Sequence, residues 1–136
     1  MKAAVAVAVC VLVGAPAAAA SDATLRETLR EGVAEVARTP DAVRLRDRLV
    51  VTIATLRCDH GTTREGRDAR ELAIAGFRST LRGVDTQLSM RAHDSGRLEA
   101  AVRDAKRADR YLNRGANLLR AAGRALGLRV GLVNGR

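Results

Sequence analysis

The chain contains almost no aromatic side chains. Tryptophan is absent, and Phe77 and Tyr111 are the only aromatic residues among 136. Aromatic rings supply the stacking surfaces of carbohydrate and nucleotide sites, and they dominate the energetic hot spots of protein interfaces. We therefore expect no site that is built on aromatic stacking.

Cysteine and lysine are also scarce. Cys10 and Cys58 are the only cysteines, which excludes a small domain held together by several disulfides, and no Cys-x-x-Cys-His haem attachment motif occurs. Arginine outnumbers lysine 22 to 2, and alanine is abundant. That bias is typical of a GC-rich coding genome and favours a bacterial source.

The first twenty residues have the order of a secretory signal peptide. Lys2 supplies the positive start, Ala3 to Val13 form an apolar run, and Ala18 and Ala20 match an Ala-x-Ala cleavage site. This pattern predicts that residues 1–20 are removed and that the protein is exported, to the cell envelope or periplasm or beyond the cell. The alternative is an uncleaved anchor, although an alanine-rich run is weakly hydrophobic for a spanning helix.

The remaining 116 residues suffice for one domain. They hold 27 residues of Leu, Val, Ile and Phe, a fraction slightly above that of chains that bury too little apolar surface to fold. We expect a thin core of modest stability. The predicted domain spans residues 21–126, and the glycine-containing residues 127–136 are predicted to form a flexible tail.

Helical patterns cover the domain, and no segment alternates as a β-strand does. A Thr-x-x-Glu capping box at Thr24 predicts a first helix over 24–38. Thr39 as N-cap and Pro40 at the first helical position predict a second helix that runs to about Arg57. Its predicted apolar face consists of Leu45, Leu49, Ile53 and Leu56, widened by Val43, Val50 and Ala54.

The third and fourth helices are predicted to be the long pair. A second capping box at Thr62 opens helix three, and helix four extends over about 96–126. The apolar face of helix three combines Ile74, Phe77, Leu81, Val84 and Leu88. Helix four carries a seven-residue repeat of Leu98, Ala105, Leu112, Leu119 and Leu126, flanked by the small residues Ala101, Ala108, Gly115 and Ala122. Such small residues permit close approach of a neighbouring helix.

The predicted fold class is all-α, a small antiparallel bundle of four helices joined by short polar turns. An alternative is a long hairpin of helices three and four with the first two packed across it. We recognise no family resemblance that would narrow the choice further.

Four residues raise the question of a metal or catalytic site: Cys58, His60, Met90 and His93. A helix of about 26 residues separates the first two from the last two by nearly 40 Å, so they cannot share one metal ion within a monomer. Cys58 and His60 are near neighbours in a turn, which is not the spatial arrangement of a catalytic pair. We predict no catalytic residue, metal or cofactor, and a disulfide from Cys58 to a second copy remains an alternative that would make a homo-oligomer.

Positive charge is concentrated in the last third of the chain. Residues 96–136 hold nine arginines and Lys106 against three acids, while residues 21–60 are neutral. The residues that avoid the leucine repeat form a predicted basic face on helix four: Arg103, Lys106, Arg107, Arg110, Arg114, Arg120 and Arg124. In an exported protein the expected partners of such a face are anionic lipid, an acidic cell-wall polymer or an acidic protein, in preference to nucleic acid.

These observations predict an exported, non-enzymatic helical bundle that acts through its surface as an interaction or structural protein of the cell envelope. A peripheral binder of anionic membrane or cell wall through helix four is the second hypothesis. A metal-dependent protein or enzyme is the third, and it would be revived by metal that stays bound through purification without a chelator.

Signal-peptide removal gives the first testable prediction. We expect the exported protein to begin at or near Ser21, because the order of charge, apolar run and small residues is complete. N-terminal sequencing of protein recovered outside the cytoplasm measures this directly. An intact Met1 or Lys2 on that material would show that the segment is retained as an anchor.

Overall fold

A computed structural model describes residues 22–92 and 98–131, and within these residues the regular structure is helical throughout. The helices are α1 (Asp22–Arg38), α2 (Ala42–Cys58), α3 (Arg64–Ala92) and α4 (Leu98–Ala125). The predicted all-α, four-helix bundle is therefore confirmed. The predicted signal peptide and the turn that contains His93 lie outside the described residues.

Neighbouring helices run antiparallel. The Arg46 guanidinium of α2 donates to the Asp85 carboxylate of α3 at 2.9 Å, while Arg70 near the start of α3 reaches the Leu56 carbonyl near the end of α2. The interface between α3 and α4 is the most extensive, α2 packs on α3, and α1 packs chiefly on α2. The structure thus combines the up-and-down topology with a dominant α3–α4 hairpin.

Glycines allow α3 and α4 to approach closely. A Cβ atom at Gly76 would lie 2.8 Å from Cγ of Leu119, and one at Gly83 would lie 2.7 Å from Cγ of Leu112. At Gly115 the nearest atoms include the backbone of α3 itself. The leucines of α4 therefore occupy the space above the glycines of α3, a ridge-into-groove contact that larger residues would prevent.

The hydrophobic core lies between α1, α2, α3 and the C-terminal part of α4. Phe77 at its centre is fully buried, together with Leu25, Leu49 and Leu119. The predicted face of α3 is confirmed, since Ile74, Phe77 and Val84 are buried and Leu81 and Leu88 pack against the same cluster. Leu119 and Ala122, the α4 members of this cluster, lie in the C-terminal part of that helix, and Leu126 joins the cluster just after α4 ends.

Four apolar residues that were predicted to face the core are exposed instead. Val43 and Val50 on α2 are 57% and 39% exposed, Ala54 on the same helix is also exposed, and Leu98 at the start of α4 is 79% exposed. On α2 the buried residues Leu49, Ile53 and Leu56 form the contact with the neighbouring helices, and the valines beside them remain in solvent. At Leu98 the cause is length, because α4 has 28 residues and α1 has 17.

The predicted caps of α1 and α2 are wrong in position. Because α1 begins at Asp22, Thr24 lies inside its first turn. Asp41 is the N-cap of α2, and its side chain accepts a hydrogen bond from the Arg44 backbone N–H at 2.9 Å. This bond lowers the pKa of Asp41, and Thr39 instead donates its hydroxyl to Glu35. An aspartate in extended conformation is as good a cap as threonine, so sequence alone did not choose between them.

The start of α3 is held by two residues. Thr63, one position after the predicted Thr62, accepts a hydrogen bond from the Gly66 backbone N–H at 2.9 Å. The Asp22 carboxylate of α1 accepts hydrogen bonds from the backbone N–H and hydroxyl of Thr62, at 2.8 and 3.0 Å, and from the Thr63 hydroxyl. A carboxylate is thereby placed at the positive end of the α3 dipole, where it stabilises the helix.

Arginines donate hydrogen bonds to the C-terminal ends of α4 and α2. Arg26 of α1 donates to the Leu126 carbonyl just after α4 at 3.0 Å. Arg70 of α3 donates to the carbonyls of Leu56 and Arg57 at 2.7 and 2.8 Å, where α2 ends. Cations at helix C-termini satisfy the last carbonyls and favour the dipole.

The chain after α4 is packed rather than free. Gly127 has a φ of 70°, and the Leu128 N–H donates to the Gly123 carbonyl at 2.7 Å, which is the pattern of a Schellman motif. Leu128 and Val130 pack against the core cluster. The folded part therefore extends beyond the predicted boundary at residue 126, and residues 132–136 lie outside the described residues.

We predict that Gly115→Ala destabilises the protein. Alanine has the higher helix propensity by about 1 kcal/mol, but its Cβ would lie 2.9 Å from the Gly76 carbonyl oxygen and 3.0 Å from the Thr80 backbone nitrogen. Backbone atoms cannot move aside without separating the helices. The destabilisation from overpacking, roughly 1–3 kcal/mol, should therefore exceed the gain in helix propensity. Thermal melts compare this variant with Asn113→Ala, at an exposed site on the same helix. A gain in melting temperature at residue 115 would disprove the close approach.

A second prediction concerns acid stability. The hydrogen bonds from the Thr63 hydroxyl and the Thr62 backbone lower the pKa of Asp22 to about 2, whereas an unfolded aspartate titrates near 3.9. Ionised Asp22 should stabilise the fold above about pH 4, and this contribution should disappear as the pH falls towards 2.

The Asp22→Asn variant should accordingly melt below the parent at pH 7, and the difference should shrink between pH 4 and pH 2. Asp68→Asn, at an exposed position of α3, is the control. A difference between parent and Asp22→Asn that stays constant across this range would show that the carboxylate charge does not stabilise α3.

Candidate anionic-surface binding face

The basic side chains predicted on helix four lie on the outer surface of α4. Six are exposed, namely Arg103, Lys106, Arg107, Arg110, Arg114 and Arg124, and Arg120 is half-buried. We call these seven residues the basic face. From Arg103 to Arg124 it extends over 21 steps of 1.5 Å along the helix axis, or about 32 Å.

The orientation of the basic face follows from helical periodicity. Arg103, Arg107, Arg110 and Arg114 recur at intervals of three and four residues, so they lie in one stripe along the helix. Ala108, which is buried against α3, lies about 140° away from Arg103 at 100° per residue. Packing of α4 on α3 thus directs the stripe into solvent.

Acidic residues compensate little of this charge. Asp104 is half-buried and pairs with Arg107 at 3.7 Å, a surface ion pair of small energy. Asp109 is exposed at the margin of the stripe, about 100° from Arg110. Arg120 at the other margin donates to the Asn117 side chain at 2.8 Å. Exposed Glu99 lies one turn before Arg103, so the four arginines of the stripe still outnumber the acids beside them.

The residues considered for catalysis or metal binding are not brought together by the fold. Cys58 is exposed at the end of α2. Asp59 is buried and accepts from the Gly61 N–H at 3.3 Å, while His60 is exposed. Pairing of Cys58 with a second copy stays a prediction.

Among residues 22–92 and 98–131, no cluster of three or more histidine, cysteine or acidic side chains could hold a metal ion. An open groove of about 490 Å³ lies between α1 and α2, and its walls carry side chains of both signs, including Glu31 and Arg48. Such a mixed and open surface does not favour a charged ligand. The basic face remains the most distinctive surface of the described chain.

Sequence reasoning missed one feature beside the basic face. Leu98, which is 79% exposed, was assigned to the core, and Val102, which is 43% exposed, was not considered. The unequal lengths of the predicted helices were the available signal, because a short first helix cannot cover both ends of a long fourth one.

None of the described helices is long and apolar enough to cross a membrane.

Comparison with known proteins identifies no relative. No protein-family model matches the chain, and no curated protein or solved structure is significantly similar to it. A functional assignment must therefore come from the chemistry of the chain's own side chains.

Proposed function

We propose that this protein is an exported, non-enzymatic helical bundle that binds an anionic surface of the cell envelope through the basic face of α4. The observation that carries the proposal is the exposure of six cations on the side of α4 that faces away from the core. The signal-like residues 1–20 supply the expected location.

The arrangement of the charge supports a broad rather than a compact ligand. Cations distributed over about 32 Å of helix match a repeating array of phosphates or carboxylates, as in anionic lipid headgroups or an acidic polymer. A small anion would require several donors that converge on one point. The basic side chains instead project from successive turns of α4 and do not converge on one point.

The chemistry of the cations favours phosphate or carboxylate groups as well. Six of the seven residues are arginines, and Lys106 is the exception. The planar guanidinium presents paired N–H donors that match either group with two hydrogen bonds. Because the side chains are exposed, they can rotate to meet a surface whose charges are irregularly spaced.

We predict that the quadruple variant Arg103→Gln, Arg107→Gln, Arg110→Gln and Arg114→Gln keeps its helicity and melting temperature but loses most binding to anionic surfaces. Exposed charges contribute little to stability, whereas attraction to a charged surface depends on them. Sedimentation with vesicles that contain an anionic phospholipid, and with a soluble acidic polymer, measures the loss. Parent binding should also weaken with salt, since charges are screened within about 10 Å at 0.1 M.

A control with the same net charge separates location from total charge. The variant Arg44→Gln, Arg57→Gln, Arg64→Gln and Arg78→Gln removes four exposed arginines from α2 and α3. It should bind nearly as well as the parent. Equal losses in both quadruple variants would indicate unspecific attraction by net charge, and a parent that binds neither surface at low salt would refute the proposed function.

A further inference from the structure

The stripe of arginines on α4 is narrow. Arg103, Arg107, Arg110 and Arg114 lie within an arc of about 60° around the helix axis at 100° per residue. Successive arginines are separated by about 4.5–6 Å along the axis, and the whole row is roughly 16.5 Å long. All four side chains are exposed. The stripe therefore presents one cation per helical turn in a row that is one side chain wide.

Carboxylates limit the width of the stripe. Asp104 lies about 60–120° from the four arginines on one side of the row, and Asp109 lies about 100–160° from them on the other. Exposed Glu99 lies one turn before Arg103 and ends the row of positive charge there. A broad anionic surface against this side of α4 would bring these carboxylates close to its own charges. A narrow anionic ligand contacts the arginines and leaves both aspartates beside it.

The stripe has neither apolar nor aromatic side chains between Arg103 and Arg114. Leu98 and Val102 are the exposed large apolar residues of described α4, and they lie about 120–180° and 80–140° from the four arginines. A helix at a membrane interface combines cations with apolar residues that enter the acyl boundary. Bases of single-stranded nucleic acid stack on exposed rings, whereas Tyr111, the aromatic residue of α4, is half-buried. The stripe therefore offers its ligand charge and hydrogen bonds alone.

A depression at the first turns of the stripe provides space for a polymer segment. It is open to solvent, has a volume of about 450 Å³ and is lined by Arg103, Lys106, Arg107, Asp109 and Arg110. Four of these five side chains are cations. The volume exceeds that of a single carboxylate or phosphate group, so neighbouring anionic groups of one chain can lie in it together.

We propose that the partner of the basic face is an extended single-chain polyanion, a linear polymer of carboxylate or phosphate groups that lies along the stripe from Arg103 to Arg114. This inference rests on the proposed function and names its partner. Each guanidinium can donate two hydrogen bonds to one such group. In an extended acidic peptide, residues are about 3.4 Å apart and alternate sides, so carboxylates on one side recur about every 7 Å. That spacing is close to the rise between successive arginines, and their long side chains accommodate the difference.

The first test measures how affinity depends on polymer length. Oligoglutamates that are extended at about 3.4 Å per residue span the stripe with about five residues. Fluorescence anisotropy with labelled oligoglutamates, and with linear polyphosphates of matching span, should show a steep rise in affinity up to that length and a slow rise beyond it. A rise that stays equally steep in chains of twice that length would indicate attraction by net charge and would disprove alignment on the stripe.

The second test moves one charge without changing the composition. The variant Arg107→Asn with Asn113→Arg exchanges two exposed side chains and moves one guanidinium about 120° around α4, out of the stripe. Its affinity for a polymer that spans the stripe should fall roughly three- to fivefold. The control Arg78→Gln, which removes an exposed arginine of α3, should bind as the parent does. Circular dichroism and thermal melts verify that both variants are folded, and an exchange variant of undiminished affinity would contradict the proposal.

Vesicles of phosphatidylglycerol and phosphatidylcholine separate this inference from the proposed function. At equal concentrations of anionic groups and about 0.1 M salt, the parent should bind the polymers more tightly than the vesicles. Vesicle binding as tight as polymer binding, or tighter, would overturn the polymer assignment and leave the proposed function intact. A parent that binds neither polymer nor vesicles at low salt would refute the proposed function itself.

Discussion

The close contact between α3 and α4 is the constraint on which the other features depend. Gly76 and Gly83 leave room for Leu119 and Leu112 of the opposite helix, and Gly115 sits against the α3 backbone. Since α4 can approach α3 only through this small-residue side, its rotation about its own axis is determined. The arginines on the far side are consequently directed into solvent, so packing in the interior decides which surface is basic.

The helix ends are joined at one end of the bundle by charged side chains from neighbouring helices. Asp22 binds the start of α3, Arg26 the end of α4, and Arg70 the end of α2. At this end a carboxylate lies at a helix N-terminus and guanidinium groups lie at helix C-termini, as the helix dipoles favour. These hydrogen bonds add to the stability that the thin core provides. Arginines of α1 and α3 that participate here have a structural role, in contrast to the exposed arginines of α4.

Unequal helix lengths shape the other end of the molecule. With 17 residues, α1 spans about 26 Å, whereas the 28 residues of α4 span about 42 Å. The first turns of α4 therefore extend past α1, and Leu98 and Val102 remain outside the core. The exposure of these two aliphatic side chains therefore depends on how the helices are arranged and not on the periodicity of α4.

The sequence by itself determined the helical class, the number of helices, the inner face of α3 and the positions of the cations on α4, because these follow from periodicity within one helix. Only the tertiary structure decided the caps and the exposed apolar residues. Asp41 and Thr39 are comparable caps on local grounds, and Asp22 acts on a segment forty residues away. Likewise Leu98 has the correct heptad position but is exposed in the folded chain. Periodicity shows which residues share a face, and the presence of a neighbour depends on relative lengths and contacts that local patterns do not contain.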